Sequence, residues 1–222
     1  MLFSEENVKA NIRNRAGKRV FYLKSEDTLT PSARDFLTRE RIEILPAHQA
    51  KPEDFVLENG AIFREKPENF THLRGNILVP KTHPVIAFRG AVDSLQAELL
   101  FAQQQVPESL RADVGEILQL ARNLIRWDVL EEPAQLGKLC GLTEAQLRQR
   151  SHNPQAYYGI PHFMPSASDC PALLQLNRAR CAARAAELAA VAAYPKRTDL
   201  LQAANRMSSA LYLLMIRLKA ER

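Results

Sequence analysis

The residues able to do chemistry in this chain sit inside an alanine-rich run, RARCAARAAELAAVAAY at 178–194. Arg180, Arg184 and Glu187 fall at i, i+4 and i+7, so on a helix they form one stripe, in line with Leu173 and Leu176. Alanine is the best helix former and takes little room, so the run predicts a helix packed closely against neighbours on several sides. A guanidinium buried without a partner costs several kcal/mol, so the two arginines need carboxylates, phosphates or water in reach. The stripe is therefore either a solvated face with an Arg184–Glu187 surface pair or a site for an anion.

The end of the chain poses the same choice. Leu200, Ala204, Met207, Leu211, Leu214 and Leu218 make an apolar seam at heptad spacing. Beside it, Leu201, Asn205, Ser208, Tyr212 and Met215 form a second stripe whose middle is polar. Such a patch is either a buried hydrogen-bond network that sets helix register or a face turned to a ligand. Between the two helical regions lies HNPQAYYGIPHFMPSASDCP, whose prolines and glycine forbid a sustained helix. A connection of that length, carrying Tyr157, Tyr158, His162 and Phe163, is of the kind that serves function.

Other reactive residues read as structural. Cys140, Cys170 and Cys181 are odd in number and far apart, which suits reduced thiols better than disulfides or a metal knuckle. Trp127, with Arg126 and Asp128, packs or caps a helix end, and His72, His83 and His152 read as surface or hydrogen-bonded groups.

The elements that must position these residues are mainly helical. Helices are expected over 86–105, from Pro107 through DVL at 128–130, and around TEAQLRQRS, where Thr143 and Glu144 mark the start. The alanine-rich helix and a last helix, joined at Pro195, complete a helical region at 85–222. Ahead of it, RVFYL and IEIL flank a helix opened by Thr30 and Pro31, predicting a small strand-helix-strand appendage over 1–45. Residues 46–84 are rich in proline, charge and turn formers and predict an irregular linker with at most short strands, including a hairpin at Asn59-Gly60.

The 222 residues suffice for one sizeable domain with an appendage, and scarce glycine favours a helical globular protein. A net charge of +5 suits an anionic ligand such as a nucleotide, but no basic run with interleaved aromatics marks a nucleic-acid groove. No apolar stretch has membrane-spanning length and the N-terminus lacks a signal-peptide core, so a soluble cytoplasmic protein is expected.

Four stretches, KTHPVIAFRGAVDSLQAELL, SHNPQAYYGIPHFMPSAS, RCAARAAE and NRMSSALYLLM, occur in the order found in ATP:cob(I)alamin adenosyltransferases. LTPSARDFL and PENFTHLRGNILVPKTHP resemble the ethanolamine-utilization branch of that family. The resemblance implies a five-helix bundle that forms homo-oligomers, commonly trimers, with ATP at a subunit interface. It implies transfer of the 5′-deoxyadenosyl group of ATP to the cobalt of reduced cobalamin, with release of triphosphate and with Mg2+ accompanying ATP.

By the same resemblance, Asp93 matches an aspartate that pairs with the first arginine of the arginine helix, here Arg180. Arg184 and Glu187 match the following R-x-x-E, Asn205 and Arg206 match an N-R pair of the last helix, and Lys81 and Thr82 lie in a phosphate-binding segment. Arg89, in the same stretch as Asp93, joins the cofactor-binding set, and Phe163 stands near an aromatic that excludes the lower ligand of cobalt. Negative charge develops on the triphosphate leaving group, and arginines in a water-poor site stabilise it. Cob(I)alamin is already a powerful nucleophile, so the protein's other task is an apolar wall that keeps the axial position empty.

The chain departs from the branch in lacking a His and Cys-Cys-x-x-Cys cluster, so no structural or redox metal is expected. It departs from other adenosyltransferases in two further ways: the arginine they carry just after the R-x-x-E glutamate is Leu188 here, and the glycine-rich nucleotide loop of the propanediol-type relatives is absent. A non-catalytic corrinoid or nucleotide carrier, or a microcompartment adaptor docking through residues 1–45, stands as the alternative to an enzyme that supplies a cobalamin-dependent lyase or dehydratase.

Overall fold

The chain begins with a strand, β1 (Leu2–Phe3), and a helix, α1 (Glu5–Asn11), in the computed structural model, which describes residues 1–15, 17–49 and 55–221. Two compact units result, Met1–Ile86 and Ala87–Arg222. In the first, β2 (Arg13–Arg15) runs antiparallel to β3 (Lys18–Leu23), and β4 (Thr28–Leu29) pairs parallel with β1. Helix α2 (Pro31–Arg39) starts as its residues require: the Thr30 hydroxyl accepts from the Ala33 N–H and Pro31 fills the first helical position. Strand β5 (Glu43–Pro46) then returns parallel to β3, from Val20 opposite Glu43 to Leu23 opposite Pro46. The expected strand-helix-strand segment is thus a βαβ unit, closed over Val8, Phe21, Ala33, Phe36, Leu37 and Ile42.

Where irregular structure is expected over 46–84, a four-stranded sheet forms; its 50–54 portion lies outside the described residues. Strands β6 (Phe55–Leu57), β7 (Ile62–Phe63), β8 (Phe70–Arg74) and β9 (Ile77–Pro80) take the order β7-β6-β9-β8. The Asn59-Gly60 hairpin is present, with Gly60 at φ 85°, a conformation that favours glycine. Buried Asn76 donates to the carbonyl of Asn14 and accepts from its N–H, both at 2.7 Å, imitating a strand and tying this sheet to β2. These strands are too short for alternation to announce them, and their pairing is long-range.

The second unit is mainly α. It holds α3 (Pro84–Gln105), α4 (Glu108–Val129), α5 (Glu144–His152), α6 (Pro154–Tyr158), α7 (Pro171–Ala193) and α8 (Thr198–Ala220). Four long helices and the shorter α5 share one core, and these are the five helices of the expected bundle; α6 adds a turn inside the long connection, begun by Pro154 and stopped by Gly159 at φ 67°. Thr143 and Gln146 form a reciprocal capping box at the start of α5. The heptad seam of α8 is buried from Leu200 to Leu218. Against it lie Ala179, Ala183, Ala186 and Ala190, all fully buried. Small side chains let two helix axes approach closely, which accounts for the alanine in α7. Among the described residues no helix is long and apolar enough to cross a membrane.

Candidate functional site

Helix α7 buries Leu173, Leu176 and four alanines, and the charged stripe runs along the border of that seam. Arg180 is half-buried and donates from Nε and Nη2 to Asn177 Oδ1, at 3.1 and 2.9 Å. Arg184 is exposed, and no Arg184–Glu187 ion pair forms among the described residues. Glu187 instead accepts from Asn205 Nδ2 at 2.6 Å, so the polar stripes of α7 and α8 meet.

Asp93 is exposed on α3, and among the described residues no ion pair joins it to Arg180. It stands nonetheless at the level of the stripe, because α3 and α7 run antiparallel. At one end Glu98 accepts from Gln175 at 2.6 Å and from Arg178 at 2.7 Å; at the other the Phe88 and Tyr194 rings meet edge to face at 5.8 Å. Asp93 lies between those contacts on α3, and Arg180 and Arg184 lie between them on α7. Large apolar side chains are exposed on the same two helices: Leu100 and Phe101 on α3 are 48% and 60% exposed, Leu188 and Val191 on α7 71% and 48%. Leu100 is seven residues beyond Asp93, and Leu188 and Val191 are four and seven beyond Arg184, so each helix presents charge and apolar bulk on one face.

Arg89 goes elsewhere. Its Nε donates to Asp128 Oδ2 at 2.6 Å, and the same buried carboxylate accepts from Tyr194 Oη, drawing α3, α4 and the end of α7 together. Trp127 beside it is core, as its position implies. Arg206 points to α5, with Nε 3.7 Å from Glu144 Oε1, and is not with Glu187. Lys81 and Thr82 are exposed in the first unit, Lys81 with Glu68 at 4.0 Å, and His83 Nδ1 accepts from the Val85 N–H at the start of α3.

Phe163 packs on α8 between two groups that sequence reasoning did not select as a pair. Its ring centroid is 6.0 Å from that of Tyr212, and Lys219 Nζ lies 4.2 Å above its centre. The available signal was heptad spacing: Asn205, Tyr212 and Lys219 repeat every seven residues on one face of α8. Tyr157 stays exposed beneath Arg150, while Tyr158 is half-buried beside Cys140 and Arg217 in a cleft of about 190 Å³.

The residues 61–218 match the family described as cobalamin adenosyltransferase. The chain belongs to that family. It is 30% identical to the corrinoid adenosyltransferase EutT of Salmonella typhimurium, over 88% of this chain and 84% of that protein. It is 28% identical to the EutT of Escherichia coli K12, with the same coverage. Among solved structures it resembles a variant of the PduO-type ATP:corrinoid adenosyltransferase from Lactobacillus reuteri complexed with cobalamin and ATP, at a TM-score of 0.55 and 19% identity, covering 69% of this chain and 91% of that one. The likeness establishes a shared helical fold, and the EutT relatives agree with the ethanolamine-type resemblance.

In this adenosyltransferase Asp113, Glu116 and Cys140 bring ligand atoms within 4.8 Å of one another. Both carboxylates are already engaged: Arg217 Nη1 donates to Asp113, and the Cys140 N–H to Glu116 at 2.6 Å. Burial, then the Asp113 and Glu116 charges, push the Cys140 thiol well above its ordinary pKa.

Proposed function

We propose that the α7 stripe serves the activity of the family, transfer of the 5′-deoxyadenosyl group of ATP to the cobalt of reduced cobalamin with release of triphosphate. Arg180 and Arg184 are the groups assigned to the polyphosphate, with Asp93 orienting Arg180. Lys81, Thr82, Arg89 and Arg206 stay in the nucleotide-binding set on the resemblance alone. Mg2+ enters bound to ATP, as part of the substrate.

The observation that carries this reading is the meeting of the two polar stripes. Glu187 is taken by Asn205 and does not neutralise Arg184, so the arginine beside it is left facing outward on a helix that otherwise buries alanine. A solvated stripe held by an Arg184–Glu187 pair does not describe that arrangement, and a non-catalytic carrier has less need of a triphosphate clamp than an enzyme does. Attack by cobalt on the ribose carbon needs no general base; it needs charge stabilisation on the departing triphosphate, which guanidiniums supply.

The exposed apolar residues Leu100 on α3 and Leu188 and Val191 on α7, at helical spacing from Asp93 and Arg184, support a homo-oligomer, a trimer by resemblance, with ATP at the subunit interface. Exposed apolar bulk around charged groups is the composition of a subunit contact. Phe163, held on α8, is assigned to the apolar wall below cobalt. Delivery of the product to a cobalamin-dependent enzyme, and association with a bacterial microcompartment, are proposed on the ethanolamine-type resemblance.

The test is anaerobic turnover of ATP and chemically reduced cobalamin by Arg184→Ala, followed by the absorbance change of cobalt–carbon bond formation. Loss of one charged donor from a preorganised site costs on the order of 10²–10³ in rate. The variant should fold normally and lose that much kcat/KM; normal turnover would remove the stripe from the mechanism.

A further inference from the structure

The connection from α6 to α7 is fastened to α8 at two places. His162 Nδ1 lies 2.8 Å from Tyr212 Oη, and His162 Nε2 lies 3.2 Å from the carbonyl oxygen of His152 at the end of α5. Further along, Lys219 Nζ donates to Asp169 Oδ1 at 3.3 Å, while Asp169 Oδ2 accepts from the Ser166 N–H at 2.8 Å. Tyr212 and Lys219 are seven residues apart, so they share one face of α8 about 10 Å from each other. Phe163 occupies the interval between them.

The proton on His162 follows from its partners. A carbonyl oxygen only accepts, so Nε2 carries the hydrogen and donates to His152. In the neutral ring Nδ1 is then a lone pair, and Tyr212 Oη donates to it. The two rings stack at 5.8 Å with planes 6° apart, so position and plane of the imidazole are both set. The residue next in the chain is Phe163.

We propose that His162 and Tyr212 are positioning residues that seat Phe163 against the lower axial face of the corrinoid; this rests on the assignment of Phe163 to that wall. The pairing has a second consequence. Neutral imidazole is the commonest biological metal ligand, and a histidine beside an apolar wall below cobalt is a competitor for the position the wall keeps empty. The Tyr212 hydroxyl occupies the lone pair with which His162 would bind cobalt.

The test uses the full-length protein with ATP and cob(II)alamin under anaerobic conditions, reading by EPR and visible absorption the fraction of cobalt with an empty lower position, alongside kcat and the KM for ATP. Four variants separate the possibilities. Phe163→Ala probes the wall itself. His162→Leu removes both hydrogen bonds, Tyr212→Phe removes one and keeps the ring stack, and His162→Gln retains a donor for His152 and an acceptor for Tyr212. Phe163→Ala, His162→Leu and Tyr212→Phe should each lower the empty-position fraction and kcat several-fold with the KM for ATP unchanged, and His162→Gln should restore both. With cob(II)inamide, which brings no nitrogenous lower base, Tyr212→Phe should show nitrogen hyperfine coupling that disappears in the Tyr212→Phe/His162→Gln double variant.

If Phe163→Ala lowers the fraction while His162→Leu and Tyr212→Phe match the parent, the positioning role is overturned and the wall stands. If His162→Gln is as impaired as His162→Leu, hydrogen bonding is not what seats the loop and the inference again fails. An unchanged Phe163→Ala removes the wall and the inference together.

Discussion

Asn205 Nδ2 donates to Glu187 Oε1 at 2.6 Å, joining the last helix to the alanine-rich one beside the exposed Arg184. The contact explains why a carboxylate and an amide persist on two helices that otherwise pack alanine against leucine. A hydrogen bond to a charged group contributes about 1.5–3 kcal/mol. Asn205→Ala is expected to lower stability by no more than that in urea denaturation, yet to reduce kcat/KM by at least tenfold as Glu187 loses its fixed position. Unaltered kinetics would confine the pair to helix register.

Asp128 is the most buried carboxylate of the second unit and accepts from Arg89 and Tyr194. Breaking a buried ion pair by removing one partner typically costs about 3–5 kcal/mol. Asp128→Ala should lose about that much in chemical denaturation, and Tyr194→Phe about 1 kcal/mol, the net worth of one hydrogen bond. Equal small losses would mean that solvent replaces the carboxylate.

Asp199 accepts from Arg197 at 2.8 Å and from the Ala134 N–H at 2.7 Å, clamping the loop after α4 to the start of α8. Hydrogen bonds from Arg197 first, then from backbone N–H groups, hold its carboxyl well below the usual range, against the opposing effect of burial. A depressed folded-state pKa gives stability that is fully present above the unfolded value, about 3.9, and is lost as pH falls below it. Asp199→Asn should therefore lower Tm at neutral pH, with the gap from the parent closing as pH drops from about 4 towards 2. A gap that widens in acid would contradict the clamp.

The thiols should separate by environment. Cys181 is exposed, whereas the Cys140 thiol is kept protonated by burial and by Asp113 and Glu116. A thiol reagent at about pH 8, near the ordinary cysteine pKa, should modify Cys181 in the native protein and Cys140 only on unfolding. Mass mapping of the labelled peptides reads the result.

Leu188 tests the assembly. It is 71% exposed four residues after Arg184, where a subunit contact would cover both. Leu188→Glu is expected to shift the mass measured by light scattering to that of a monomer and to cost activity in parallel, leaving helical content unchanged. An unchanged oligomer would place the contact on another face.

Local chemistry determined the helices of this adenosyltransferase. Thr30 with Pro31 and Thr143 with Gln146 start helices by satisfying nearby N–H groups, and the seam from Leu200 to Leu218 follows from a repeat that any helix projects onto one side. Order of motifs, likewise a property of the string, carried the family. Only the tertiary structure decided the partners. The sheet over β6–β9 depends on pairing between segments too short to show alternation, and Asn76 reaches Asn14 across 62 positions. Asn205 and Arg206 are neighbours in the chain and about 100° apart around α8; that one meets Glu187 and the other Glu144 follows from where α7 and α5 lie. Periodicity specifies which face a residue occupies; what that face meets depends on how the helices cross, and so Tyr212 found His162, and Arg89 found Asp128, only when the chain was folded.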